Sequence, residues 1–180
     1  MTVAAHFIEV TRFEFQRMKS MLEKTVSRLN DEEFSRQPSE NDNSIRIIVQ
    51  HLAGNLLSRW TDFLGSDGEK PWRNRDAEFE HQAISRNDLM HSLEKGWGEL
   101  FRAIDSLSEE NLMQQVSIRN EKLTVIQALQ RQVAHYSYHC GQVVFLAKMI
   151  KGKEWESLSI PKNKSTEFSS KGTYLGQNPH

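Results

Sequence analysis

The segment VAHYSYHCGQ, residues 133–142, sets His135 and His139 four positions apart in a run that otherwise reads as a buried helix. At about 100° per residue the two imidazoles lie about 40° apart on one helix face, one turn apart in height. Neutral imidazoles so placed can point at one divalent ion, which is the physical content of an H-x3-H pair. Along the same face run Ala128, Gln132, His135, His139, Gln142 and Leu146, a polar centre between apolar ends. A metal site inside a helix bundle has this form, with ligands on facing helices and dry packing above and below. Histidines that merely pack with satisfied polar tips would give the same pair, so a third ligand has to be sought.

His51 is the histidine in the middle of another helix's inward half, within IRIIVQHLAGNLLSRWTDFL. The apolar stripe there is Ile45, Val49, Leu52, Leu56 and Phe63, and His51 lies about 100° from Leu52 on a face shared with Asn55 and Ser58. That face is too polar for core and too patterned for accident, as a cleft wall should be. Asn55, one turn beyond His51, is placed to hold a water or orient a ligand, and Gln142 is a second such donor beside His139. His91 projects away from its helix's stripe, His6 lies about 100° from Phe7, His81 falls in a loop and His180 is terminal.

The elements that must carry these residues are four long helices. The first is expected from Val3 to Leu29, with Phe7, Val10, Met18, Met21, Leu22 and Leu29 inward. The second follows an N-cap at Ser44 and stops at Gly65, and the third opens on a Ser85–Asp88 capping pattern with Leu89, Leu93, Trp97, Leu100, Ile104 and Leu107 inward. The fourth opens on Thr124 with Gln127 and ends at Gly152. QQVSIRNEKLTV, just before it, reads as a short hairpin or extended arm. Together these predict an all-α four-helix bundle over residues 1–152, with a long connection at 65–84 and a tail at 153–180 that packs in part and then frays. Trp72 and Phe79 should fold the connection back on the body.

The 180 residues suit one domain without disulfides, and the single Cys140 excludes an intrachain pair. The net charge of −1 leaves no basic footprint for nucleic acid. No stretch is long and apolar enough to span a membrane, and the acidic, helix-patterned start is unlike a leader, so a soluble cytoplasmic protein is expected. Other reactive groups have plainer readings. Glu14, between Val10 and Met18, is either a general base or an edge residue reaching water, and edge is preferred. Tyr136 and Tyr138 read as packing, Gln132 as a ligand-orienting donor or an ordinary amide, and Cys140 as a small buried hydrophobe. Arg73 and Arg75 read as a solvated charge run that alternatively clamps a carboxylate or phosphate.

The motifs IVQHLAGNLLSRW, DGEKPWRNRDAEF and VAHYSYHCGQVVFLAK, with the tail SIPKNKS, resemble the DinB/YfiT-like metalloenzyme family, in particular a bacterial branch with HLAGN and HxxxHxGQ elements. The likeness covers essentially the whole chain. It implies up-down-down-up helix order and a three-histidine site carried by His51, His135 and His139. It also implies nickel or zinc, frequent homodimers and, for some members, transfer reactions on low-molecular-weight thiols or isomerisation. Three neutral imidazoles leave a coordination position open, the mark of a catalytic site, where water or a thiolate can bind. The expected activity is thiol-dependent S-transfer or hydrolysis of a small molecule, with Trp72 and Arg73 as an acceptor wall. The alternative is a non-catalytic, metal-stabilised dimeric scaffold or ligand binder. The fourth helix adds a second apolar face, Tyr136, Cys140, Val143, Val144 and Ala147, that calls for a partner subunit, the loop or the tail to cover it.

Overall fold

The computed structural model describes residues 1–166, which are mostly helical with one small two-stranded sheet. Helix α1 spans Val3–Val26 and opens on Thr2, whose hydroxyl accepts from the Ala5 amide. It ends three residues short of Leu29, because the chain turns at Ser27 to start a second, short helix. That helix, α2 (Asp31–Ser35), opens on a reciprocal capping box between Asn30 and Glu33 and buries Phe34.

Helix α3 (Ile45–Trp60) is capped by Ser44 as expected but stops before Gly65. Thr61 leaves the helical region and Asp62 takes a positive φ of 48°. The Gly65 and Ser66 amides then close the turn on the Asp62 carbonyl. This break lays Phe63 on Trp60, with ring centroids 4.8 Å apart. Helix α4 (Arg86–Asp105) follows its Ser85 cap, and α5 (Val125–Lys151) follows the Thr124–Gln127 capping box and ends at Gly152 with φ 53°. Strands β1 (Gln115–Ile118) and β2 (Glu121–Thr124) pair antiparallel, Gln115 opposite Thr124. Arg119 and Asn120 both take positive φ, the two-residue turn whose twist matches that of paired strands. β2 runs directly into α5.

Helix α3 packs on α4 and α5, and α1 packs on α5 and α4. The inward face of α1 is Thr11, Phe15, Met18, Leu22 and Val26, rotated by about one residue from the expected stripe. Phe15 takes the central place, and Glu14 sits at the edge with its carboxylate 2.9 Å from Arg17. The second apolar face of α5 lies inside the chain: Tyr136, Cys140, Val143 and Ala147 are buried, Phe15 meets Tyr136, and Cys140 Sγ lies 3.7 Å from the Met18 carbonyl. Helix α1 therefore covers the face that had called for a partner subunit. On α5, Phe145 and Met149 stay exposed.

The 65–84 connection is pinned at two places. Ser58 Oγ donates to the Gly68 carbonyl and accepts from the Lys70 amide, while the Asp67 carboxylate accepts from the Arg119 and Asn120 amides and Ser117 Oγ. Burial opposes ionisation of Asp67, but these hydrogen bonds outweigh it and hold its pKa far below the ordinary carboxylate value. Further on, a 3-10 turn at Asp76–Phe79 is held by Gln50 Nε2, which donates to the carbonyls of Ala77, Glu78 and Glu80. Trp72 is no anchor, since it is 60% exposed. In the tail, Trp155 lies under the Arg28 guanidinium; the fraying expected toward the end falls from residue 167 on, outside the described residues. Among the described residues no helix is long and apolar enough to cross a membrane.

The α3–α4 contact yields a direct test. A Cβ on Gly96 would lie 2.6 Å from Leu56 Cβ, whereas one on Gly98 would meet nothing within 4 Å. Gly96→Ala should destabilise by about 1–3 kcal/mol by forcing the helices apart, and Gly98→Ala should stabilise by about 0.5–1 kcal/mol. Urea denaturation of the two variants decides it.

Candidate metal centre

Helix α3 and helix α5 bring three imidazoles together. One ring nitrogen from each of His51, His135 and His139 lies within 4.8 Å of the others. His51 Nε2 and His135 Nε2 are 3.3 Å apart. Two metal–nitrogen bonds of about 2.0–2.1 Å at a tetrahedral angle place their nitrogens about 3.4 Å apart, so this pair already has donor spacing. His51 and His139 are buried and His135 is partly so. Two nitrogens, His135 Nδ1 and His139 Nε2, are enclosed with no hydrogen-bond partner among the described residues. An enclosed polar nitrogen without a partner is costly, whether it carries a lone pair or a proton. These residues could hold a metal ion.

The orientation of His51 has a cause in the loop. Glu78 Oε2 lies 2.8 Å from His51 Nδ1, so the ring carries its proton there and turns Nε2 toward the other histidines. Arg73 grips the same carboxylate through Nε (2.7 Å) and Nη2 (2.8 Å). Burial pushes the Glu78 pKa up, but hydrogen bonds from His51 and Arg73 outweigh it and hold the carboxyl below its usual value. Glu78 reaches this position only because residue 54 is glycine: a Cβ there would overlap its carboxylate. On the other helix, Gln142 Oε1 lies 2.9 Å from His139 Nδ1, which leaves His139 Nε2 as the open nitrogen.

The imidazoles of α5 arrive neutral. Desolvation first, then the neighbouring His139 and His51 and the charges of Arg59 and Arg73, push His135 down to about 3. Desolvation, then His51, pushes His139 down to about 4, against an opposing bond to Gln142. Free lone pairs at neutral pH are what a divalent ion requires.

The three rings open onto a cavity of about 590 Å³ between α3, α5, the 3-10 turn and the hairpin tip. Asn55 lines it, but its Oδ1 accepts from Tyr136, whose oxygen accepts from Trp60 Nε1; Asn55 thus braces α3 against α5. Desolvation raises the Tyr136 pKa, keeping the phenol neutral. Tyr138 departs from its packing role: it is 53% exposed and stands at the mouth, its ring 4.2 Å from His139. Arg73 is no solvated charge, since its side chain is 2% exposed and spent on Glu78 and Glu69. Arg75 lies over the Phe79 ring at the rim, and Trp72 does not line the cavity. Glu14 is absent from the lining, and Cys140, pushed up to about 12 by burial, is an inert thiol. His6, His81 and His91 are exposed, and His180 lies outside the described residues.

Glu78 is the functional residue that sequence reasoning missed. Its signal is Gly54, a glycine inside a long helix one turn from a proposed ligand, which marks a close approach by another group.

A family model described as Protein of unknown function (DUF1572) matches residues 2–164. No curated protein matches the chain.

The neutral imidazoles predict a pH profile. Unfolded histidines take protons near pH 6.5, while His135 and His139 resist to about 3 and about 4. Between those values the unfolded chain binds more protons, so stability rises with pH. Metal-free protein should lose stability as pH falls from about 6.5 to about 4, and the His135→Gln/His139→Gln double variant should show a flatter profile. Urea melts across that window measure it.

Proposed function

The chain belongs to the DUF1572 family, and from that premise we propose that it is a metal-dependent enzyme whose His51, His135 and His139 hold one divalent ion. The observation that carries this reading is the convergence of one ring nitrogen from each of the three histidines within 4.8 Å, across α3 and α5, with Glu78 behind His51. A carboxylate–histidine pair of that kind orients a ligand and raises its basicity. A fourth protein ligand is absent among the described residues, which favours an open position over a closed structural site.

We further propose that the four long helices form an up-down-down-up bundle of the DinB/YfiT type, supported by the neighbour order α1–α4–α3–α5–α1. Nickel or zinc suits three imidazoles. The ion's 2+ charge would meet only neutral rings, since Glu78 is already balanced by Arg73. It would therefore lower the pKa of a bound water or small thiol, supplying hydroxide or thiolate near neutrality. No Asp or Glu lines the cavity among the described residues, so activation falls to the ion and not to a carboxylate base. Hydroxide would then displace the alcohol or amine of an ester or amide in hydrolysis, or a thiolate would displace the leaving group of a small electrophile in S-transfer. A homodimer is proposed through the exposed Phe145 and Met149 strip; a monomer mass near 20.9 kDa in light scattering would refute it.

Elemental analysis tests the site. His51→Ala, His135→Ala and His139→Ala should each lose the metal, and His91→Ala should keep it; full occupancy in all three removes the reading. Glu78→Gln and Gly54→Ala should retain the fold while weakening metal affinity about 10–100-fold. On the cobalt-substituted protein, a new near-ultraviolet charge-transfer band with a small thiol supports S-transfer, and turnover of an ester or amide without that band supports hydrolysis.

A further inference from the structure

Arg59 stands in the same cavity as the histidines, two turns along α3 on the stripe His51, Asn55, Arg59. It is 5% exposed, and its Nε and Nη1 are enclosed without a hydrogen-bond partner among the described residues. Its nearest carboxylate, Glu69, is 3.9 Å away, too far for a hydrogen bond. That same carboxylate serves Arg73 at 3.2 Å and Arg119 at 3.3 Å. Three guanidiniums share Glu69, and Glu78 is divided between Arg73 and His51. The lining of the cavity adds no acidic residue among those described.

A buried guanidinium without acceptors is an expensive arrangement, and one that persists calls for an explanation. Its planar fork of N–H groups matches an oxyanion in two parallel bonds. We propose that Arg59 forms an oxyanion subsite which takes the carboxylate or phosphate group of the small molecule that meets the metal. The eight residues from His51 to Arg59 rise about 12 Å, and an arginine side chain leans back toward the helix N-terminus, so the remaining gap suits a compact molecule. The reacting end of that molecule rests on the metal reading above, but the subsite stands on Arg59 alone.

The test is calorimetric titration of the full chain, chelated and at low salt, with inorganic phosphate and separately with malonate. Saturable binding of one of them is expected, and which one identifies the group. Arg59→Gln should bind about tenfold or more weakly, with Arg119→Gln within about twofold of wild type. No saturable binding, unchanged affinity in Arg59→Gln, or an equal loss in Arg119→Gln overturns the subsite. Because Arg59 is buried, the Nε–H resonance of Arg59 is also followed in wild-type protein: a saturable shift supports the subsite, and a static signal overturns it. Failure of the metal reading would show in elemental analysis and leave these outcomes unchanged.

Discussion

Glu78 leaves a surface connection, enters the body at the one place on α3 without a side chain, and meets His51 Nδ1 at 2.8 Å. Taking a carboxylate out of water costs several kcal/mol unless its lone pairs are matched. Here Arg73 supplies two bonds and His51 a third, and the arginine is itself held by Glu69. The connection at 65–84 is thus a structural arm, pinned by Ser58 and Asp67 at one end and by Gln50 at the other. Its task is to set the rotation of one imidazole, and through that ring the direction in which a lone pair points.

Beneath the histidines the side chains are buried and closely packed. Trp60 Nε1 donates to the Tyr136 oxygen and Tyr136 donates to Asn55, a buried polar thread whose members are all satisfied. Phe15 and Trp97 close on the same tyrosine from α1 and α4, so all four long helices meet at this ring. Side chains held by such packing keep their rotamers, which lets His51 and His135 sit at donor spacing before any ion arrives.

Above the histidines the character reverses. Arginines line the cavity, with no acidic residue beside them among the described residues, in a chain whose net charge is −1. Positive potential confined in a low-dielectric cleft draws in anionic solutes and is screened by salt. Their acidic partners, Glu69, Glu78 and Glu121, pair with these arginines without lining the cavity, so the local arrangement is one that the overall charge conceals.

Much of this protein follows from local rules. Ser44, Ser85 and Thr124 open helices where they stand, because a side-chain oxygen can accept from the amide three residues on. The four-residue spacing of His135 and His139 puts them on one face whatever surrounds them, and His51 is the mid-helix histidine able to join them. The sequence by itself therefore determined the long helices and the histidine set. Tertiary structure decided the rest. The rotation of α1 by one residue turned on whether Phe15 or a neighbour met Tyr136, and the apolar face of α5 read as vacant only because α1 was not yet laid on it. Arg59 was invisible for the same reason, and Glu78 showed only through the gap that Gly54 leaves for it. A carboxylate or guanidinium in the sequence looks solvated until the fold buries it, and only three-dimensional proximity shows which charges are shared and which have no partner.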